Sequence, residues 1–269
     1  MKAQNKVIVV TGGGSGMGRE LVLNLLTKGA KVVAIDINES SLQETVKLAV
    51  GNAGNLATFV TDITNKQAVE SLLEKAISKY GHVDGIINNA GIIQPFIKVN
   101  DLNYEVIERV MNINFYGTLY LIKTFLPHLL TRPEAHIVDI SSMGGFLPVP
   151  GQTIYGASKA AVKLLTEGLH SELRDTNVKV TVVFPGGVKT NIMSNSGLAD
   201  RMGSGSEKGA QNILTADKAA EMIIDGMEQG KYRVLVGKDA KMMDKLYRLN
   251  PAYAAGLIAK KMGALLSSK

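Results

Sequence analysis

The sequence predicts an α/β fold: one domain built as a doubly wound parallel sheet with helices on both faces. Three observations predict it. Short β-branched runs alternate with longer amphipathic stretches, the order of a parallel sheet joined by crossover helices. Several runs, Val7–Val10 among them, are continuously apolar, so both faces of those strands are expected to be buried. Finally, 269 residues at 45% apolar composition suffice for one large core, and no Pro/Ser-rich linker, low-complexity tract or repeat divides them.

Along the chain, Lys6–Thr11 reads as the first strand. It runs into Thr11-Gly-Gly-Gly-Ser-Gly-Met-Gly18, a turn opening a helix from Met17 to about Lys28. Lys31–Asp36 and Ala57–Thr61 are the next strands. Asn65–Tyr80 is a helix with Ala68, Val69, Leu72, Leu73, Ala76 and Ile77 on one face. Gly85–Asn88 follows as a strand, then a helical pattern over Val110–Phe125. His136–Ile140, Lys179–Phe184 and Arg233–Val236 complete seven strands. Phe184-Pro-Gly-Gly187 stops its strand abruptly, and Met193–Gly209, rich in Ser, Gly and Asn, reads as a lid or a disordered loop. Residues 1–237 form the expected catalytic domain, and 238–269 a basic, apolar helical extension of it.

Composition removes several functions. There is no cysteine, so disulfides and thiolate metal sites are excluded. Histidines 82, 128, 136 and 170 are scattered, with no pair at i, i+4; a zinc-dependent mechanism is unsupported and no metal is expected. Each histidine is expected at the surface or a helix end. The N-terminus lacks the pattern of a secretory signal, and no run of roughly 18 apolar residues can span a bilayer. A cytoplasmic protein is the expectation. From Lys231 to Lys269 nine Lys/Arg face two Asp/Glu, a charge of +7, which leaves −1 of the total +6 for the rest. Such a tail fits solvent, a phosphorylated ligand, an acidic partner or an anionic membrane. Nucleic-acid binding is not expected, because aromatics are 5% and no reading motif accompanies the charge.

Ligands of doubly wound folds sit beyond the carboxyl ends of the strands, where strand order reverses. The glycine turn there lets backbone amides approach a pyrophosphate, and the helix behind it adds free donors and a positive dipole end. Met17 breaks the G-x-G-x-x-G fingerprint started at Gly12; the pattern is T-G-x-x-x-G-x-G, with Gly12, Gly16 and Gly18. Asp36 closes the second strand, placed to accept from the adenosine ribose hydroxyls. A phosphate on that ribose would meet like charge, and neither Ser15 nor Ile37 supplies a cation. NAD is therefore favoured over NADP, although Arg19 and Lys31 are near in sequence.

Tyr155 and Lys159, at i and i+4, share one helix face. A phenol normally ionises near pH ~10. An adjacent ammonium is expected to lower that value toward the range of acid–base chemistry. An ordinary helix surface presents such pairs too, so the surrounding residues decide. Ser142 follows the strand His136–Ile140, at the edge of the sheet where substrates bind. Ser141 is its rival, and strand alternation sends the two side chains to opposite sides. Asn88-Asn89-Ala90-Gly91 ends the central strand, and Asn114 lies in the helical pattern beyond it.

The set Thr11–Gly18, Asp62 in Thr-Asp-Ile-Thr, Asn88–Gly91, Asn114, Ser142, Tyr155, Lys159 and Pro185-Gly-Gly-Val-Lys-Thr190 resembles the short-chain dehydrogenase/reductase family, over residues 5 to about 237. The resemblance implies a Rossmann-like, NAD-binding oxidoreductase, as a homodimer or homotetramer. In it Tyr155 is the general acid/base, Ser142 steadies the reacting oxygen, and Lys159 holds the nicotinamide ribose and depresses the tyrosine pKa. Asn114 supports a water-linked proton path; Asn112 is the alternative, set aside because Gly117 follows Asn114 as in the family pattern. Asp62 and Ile63 flank the adenine, Asn89, Ala90 and Gly91 form cofactor-facing backbone, Pro185 and Gly186 open the next loop, and Val188 and Thr190 anchor the carboxamide. The substrate is an alcohol or ketone, its identity set by Asn191–Gly209 and the segment after Val236. Leu147, Val149, Met193, Leu198 and Met202 suggest either an apolar pocket for a lipophilic substrate or lid packing, with Gly203-Ser-Gly-Ser206 as a hinge. The extension either covers the pocket, packs on a neighbouring subunit or lies on a membrane. A protein that binds NAD without turning it over is the alternative, and the full Asn-Ser-Tyr-Lys set counts against it.

Overall fold

The structure, a computed structural model, describes residues 1–198 and 213–267, with side chains described to residue 263. Seven parallel strands form one sheet: β1 (Val7–Thr11), β2 (Lys31–Asp36), β3 (Leu56–Val60), β4 (Gly85–Asn88), β5 (Ala135–Ile140), β6 (Val178–Pro185) and β9 (Arg233–Val236). Their spatial order is β3-β2-β1-β4-β5-β6-β9, so the direction of winding reverses between β1 and β4. Two short strands, β7 (Val188–Lys189) and β8 (Leu214–Thr215), pair beside it. The predicted strands all form, with ends displaced by at most one residue.

Burial explains the apolar strand sequences. Every residue of β1 and β5 is buried, and the sheet carries one core on each face. On one side Leu21, Leu25, Ile223 and Ile224 of α1 (Gly16–Thr27) and α8 (Ala216–Glu228) pack against Ile8, Val10 and Val183. On the other, α3 (Lys66–Tyr80), α5 (Thr118–Leu129) and α6 (Thr153–Glu172) bring Leu72, Phe125 and Leu169 against Val9, Ile86 and Ile137. Each such apolar side chain contributes about 1.5–3 kcal/mol when fully buried. Local signals start and stop the helices: Asn38 caps α2 (Glu39–Leu48) by accepting from Ser41 N, and Asn65 caps α3 by accepting from Ala68 N. Gly81, at φ 83°, ends α3 in the left-handed conformation.

Three expectations change. The helix over Val110–Phe125 is interrupted: α4 (Tyr104–Met111) passes through a π-helical turn, Asn112–Gly117, before α5 begins. π-turns of this kind recur at functional sites. At Gly117 a Cβ would lie 2.7 Å from Ile63 Cδ1, so a larger residue would have to displace the Ile63 side chain from the turn. Secondly, His136 is not at the surface or a helix end. It lies inside β5, 1% exposed, with Nε2 on Thr181 Oγ1 at 2.8 Å. Desolvation, with the N-terminal ammonium and Lys179 nearby, pushes its pKa down to about 3, so the ring stays neutral. His128 and His170 do stand in last helical turns, and His82 precedes β4 beside Asp84. Thirdly, the start of the predicted lid is a short helix, α7 (Ile192–Asn195). Met202 and Gly203–Ser206 lie outside the described residues.

The C-terminal extension forms α9 (Lys238–Leu249) and α10 (Pro251–Ser267). Met243, Ala254 and Ile258 bury against Leu147, with Phe146, Val149 and Tyr247 packed around them. Lys241, Lys245, Lys260 and Lys261 stay exposed. Among the described residues no helix is long and apolar enough to cross a membrane.

Candidate active site

At the carboxyl edge of the sheet a cleft of about 780 Å³ runs from β2 across β1 and β4 to β5 and β6. Its first wall is the turn between β1 and α1. Gly12 has φ 68° and Gly16 φ 50°, which favour glycine. A Cβ on Gly18 would collide with the Gly12 carbonyl oxygen, so close approach fixes glycine at the position that distinguishes this turn from the general fingerprint. Helix α1 has Ser15 as N-cap but no side-chain cap hydrogen bond. Its first-turn amides are thus not satisfied by a side chain and suit an anionic ligand. Thr11 Oγ1 accepts from Asn89 N and Ala90 N, both at 2.9 Å, and Asn89 Nδ2 donates to Thr11 O at 3.0 Å. The turn and the loop after β4 are therefore one unit.

Asp36 closes β2 at the far end of the cleft. Its Oδ2 accepts from Gly14 N and its Oδ1 from Asn38 N, both at 3.0 Å, which holds the carboxylate in place. Ile37 beside it is 68% exposed. Arg19 does not offer a free charge there: its guanidinium pairs with Glu44 and donates to Gly14 O. Lys31 sits at the opposite end of β2, over the Tyr80 ring.

The other end of the cleft gathers the polar side chains. Alternation separates the two serines as expected. Ser141 is buried and donates to Lys159 O at 2.7 Å, whereas Ser142 faces the cleft. A Cβ on Gly144 would lie 3.4 Å from Tyr155 Cε1 and 3.5 Å from Ser142 Oγ, so all three meet there. Lys159, 4% exposed, donates from Nζ to Ile140 O at 2.9 Å. A Cβ on Gly91 would lie 3.2 Å from both Lys159 Nζ and Asn114 Oδ1, which brings those groups together as well. Asn114 is fully buried. Its Oδ1 accepts from Ile92 N at 2.9 Å, and its Nδ2 donates to Ile92 O and Ser158 Oγ, both at 3.0 Å.

Electrostatics depart from expectation at one point. Burial pushes the Tyr155 phenol above its ordinary pKa, and the Ser142 hydroxyl offsets this only in part. The expected depression by Lys159 does not prevail. Desolvation of the phenolate dominates, and the Lys159 ammonium donates instead to Ile140 O. Lys159 itself is pushed down to about 8 by burial, with Asp139 opposing. Asp139, buried in β5 under Asn88 and Thr166, is raised to about 6 by desolvation.

The cleft is lined by Gly12, Ser15, Gly16, Met17, Gly18, Asp36, Ile37, Asp62, Ile63, Asn89, Ala90, Gly91, Ser142, Tyr155, Lys159, Pro185, Gly186, Val188 and Thr190. Asn114 stands behind the wall. Leu147 and Val149 do not line it; they pack under α9 and α10, an arrangement that neither the pocket nor the lid reading foresaw. Leu198 borders a separate cavity of about 200 Å³, with Ile93, Pro95, Arg109 and Ser196. Sequence reasoning missed Asn195, whose Nδ2 donates to Ser15 Oγ at 2.8 Å across the cleft. It also missed Asp139, although an acid inside the continuous apolar run of β5 was a visible signal.

Comparison with known proteins agrees with this geometry. The family model described as short chain dehydrogenase matches residues 6–200. SadH of Mycobacterium tuberculosis, named as an oxidoreductase, is 36% identical over 264 residues, 95% of each chain. A crystal structure of a short chain dehydrogenase/reductase from Burkholderia phymatum in complex with NAD superposes with a TM-score of 0.83 at 26% identity. It covers 94% of this chain and 96% of that one. A short chain dehydrogenase from Burkholderia cenocepacia in complex with NADP gives a TM-score of 0.80 at 23% identity, a likeness of fold, over 96% and 99% of the two chains.

Proposed function

This chain belongs to the short-chain dehydrogenase/reductase family and is an oxidoreductase; from that premise we propose that it interconverts a lipophilic secondary alcohol and its ketone with NAD. One observation carries the reading: Ser142, Tyr155 and Lys159 converge at one end of a cleft whose other end is the glycine turn and Asp36. The residues fit a dinucleotide. The first-turn amides of α1 would hold its pyrophosphate, and Asp36 the adenosine ribose, where a 2′-phosphate would meet a carboxylate with Arg19 already paired to Glu44. Asp62 and Ile63 would flank the adenine, and Val188 and Thr190 the carboxamide.

When bound, NAD supplies the hydride acceptor at its nicotinamide ring. The chain's own groups do the rest. Tyr155 takes the proton of the alcohol, or returns it to the ketone oxygen, while the Ser142 hydroxyl holds that oxygen in reach. Lys159 orients the nicotinamide ribose and, with Asn114 behind it, continues the proton path toward solvent. The apolar residues Ile92, Ile93 and Ile192 on the cleft wall favour a lipophilic substrate.

The test screens cyclohexanol, menthol and testosterone with NAD and with NADP, following reduced-cofactor absorbance in the parent chain and in Tyr155→Phe. Turnover is expected with NAD above NADP. Tyr155→Phe should bind NAD normally and lose about 10²–10⁴-fold in turnover. Near-normal turnover in that variant removes tyrosine from the role, and a strong NADP preference overturns the assignment of Asp36.

A further inference from the structure

The helix that carries Tyr155 has no cap of its own. Gln152 is the N-cap residue of α6, yet its side chain makes no cap hydrogen bond. It donates from Nε2 to Gln94 O at 2.7 Å and to Gly151 O at 3.2 Å. A helix start leaves several backbone amides unpaired, and burying them unsatisfied is costly. Here they are met from far along the chain. Gln94, fully buried, accepts through Oε1 from Ile154 N at 2.8 Å and Tyr155 N at 3.0 Å. Its Nε2 donates to Gly151 O at 2.9 Å.

Gln94 directly follows the segment Asn89–Ile93, which lines the cleft. That segment is tied at each step: Asn89 and Ala90 to Thr11, Ile92 to Asn114, and Ile93 to Ser196 Oγ at 3.0 Å. We propose that Gln94 is a positioning residue, a remote side-chain cap that fixes Tyr155 relative to the loop Asn89–Gly91, so that phenol and cofactor wall move as one body. The inference rests on the proposed role of Tyr155. It adds that the role requires a side-chain acceptor at residue 94, because one oxygen must accept the backbone amides of both Ile154 and Tyr155.

Gln94→Met keeps length and burial but can neither accept nor donate; Gln94→Glu keeps the acceptor. Three measurements separate the outcomes. Amide exchange of Ile154 and Tyr155 reads the cap itself. NAD dissociation constants, from quenching of NADH fluorescence, read the cofactor seat. Phenolate absorbance against pH in the NAD complex, each chain referred to the same chain with Tyr155→Phe, reads where the phenol sits without any substrate. In Gln94→Met, exchange at both amides should accelerate and the phenolate transition should shift from the parent's, while NAD affinity holds. Turnover of whichever probe alcohol the parent oxidises should fall by about 10- to 100-fold at unchanged KM, the effect of a slightly misplaced catalytic group. Gln94→Glu should recover amide protection and part of the turnover. Should Gln94→Met fail to fold, Gln94→Glu decides: the amides of Ile154 and Tyr155 must stay as protected from exchange as the parent's. A parent-like phenolate transition in Gln94→Met, or a Gln94→Glu that behaves like Gln94→Met, overturns the positioning role alone. If the parent shows no phenolate signal assignable to Tyr155 in the NAD complex and Tyr155→Phe turns over normally, the proposed function falls, and this inference with it.

Discussion

The glycine turn after β1 and the C-terminal helices α9 and α10 both border the carboxyl edge of the sheet, but they are held there by different forces. At the turn, close backbone approach and one hydroxyl set the geometry: Gly18 lies against the Gly12 carbonyl, and Thr11 Oγ1 accepts from the amides of Asn89 and Ala90. Hardly any other residue fits at Gly18. The helices are held by apolar side chains, Met243, Ala254 and Ile258 on Leu147, where shape and volume matter and chemical identity matters less. Polar links join α9 to the sheet as well: Gly187 N, in the loop after β6, donates to Asp239 at 2.7 Å, and Arg233 of β9 pairs with Asp244 at 3.1 Å. Close backbone approach leaves a motif in the sequence, and side-chain packing leaves only a periodicity.

Mutations can break this contrast, first at the cofactor seat and then in the stability of the fold. Gly18→Val forces a side chain into the Gly12 carbonyl. Overpacking costs of ~1–3 kcal/mol expressed at the cofactor seat correspond to about 10- to 100-fold weaker NAD binding. An unchanged NAD dissociation constant would show that the turn does not set the seat. Leu147→Ala opens a cavity under α9 and α10 and should lower unfolding stability by about 2–5 kcal/mol in denaturant titrations. Its NAD affinity should stay at the parent's value; a parallel loss would mean the two regions are not independent.

Asp139→Asn has the smallest effect and sharpens the electrostatic side. Asp139 opposes the burial that holds Lys159 at about 8, so its removal should let the ammonium lose its proton at lower pH. The alkaline limb of the turnover profile should move down accordingly. The stability profile gives a second readout with a definite sign. Because the folded carboxyl is raised from 3.8 to about 6, its contribution is fully present below the lower value and lost as pH rises through the upper one. The Asn variant should flatten that decline; a slope identical to the parent's would mean that Asp139 is not the titrating group.

Much of the site was legible because its residues act near strand ends that the apolar runs already located. Asp36 ends its strand and Ser142 follows one, and both line the cleft. The i, i+4 spacing placed Tyr155 and Lys159 on one face of α6 without knowledge of what that face meets. What escaped depends on depth. His136 looks like any histidine near a strand start until Thr181 and the layer above close over it. The phenol's raised pKa likewise follows from burial, which no spacing reports.

The sequence by itself determined the strands, the winding of the sheet, the glycine turn and the candidate acid–base pair, since these follow from periodicity and local backbone sterics. Only the tertiary structure decided that Gln94 caps α6, that the helix before Gly117 opens into a π-turn, and that the C-terminal helices bury Leu147. Those contacts join residues far apart in the chain. Their free energy comes from satisfying buried amides and excluding water, and that is settled only once the layers have met.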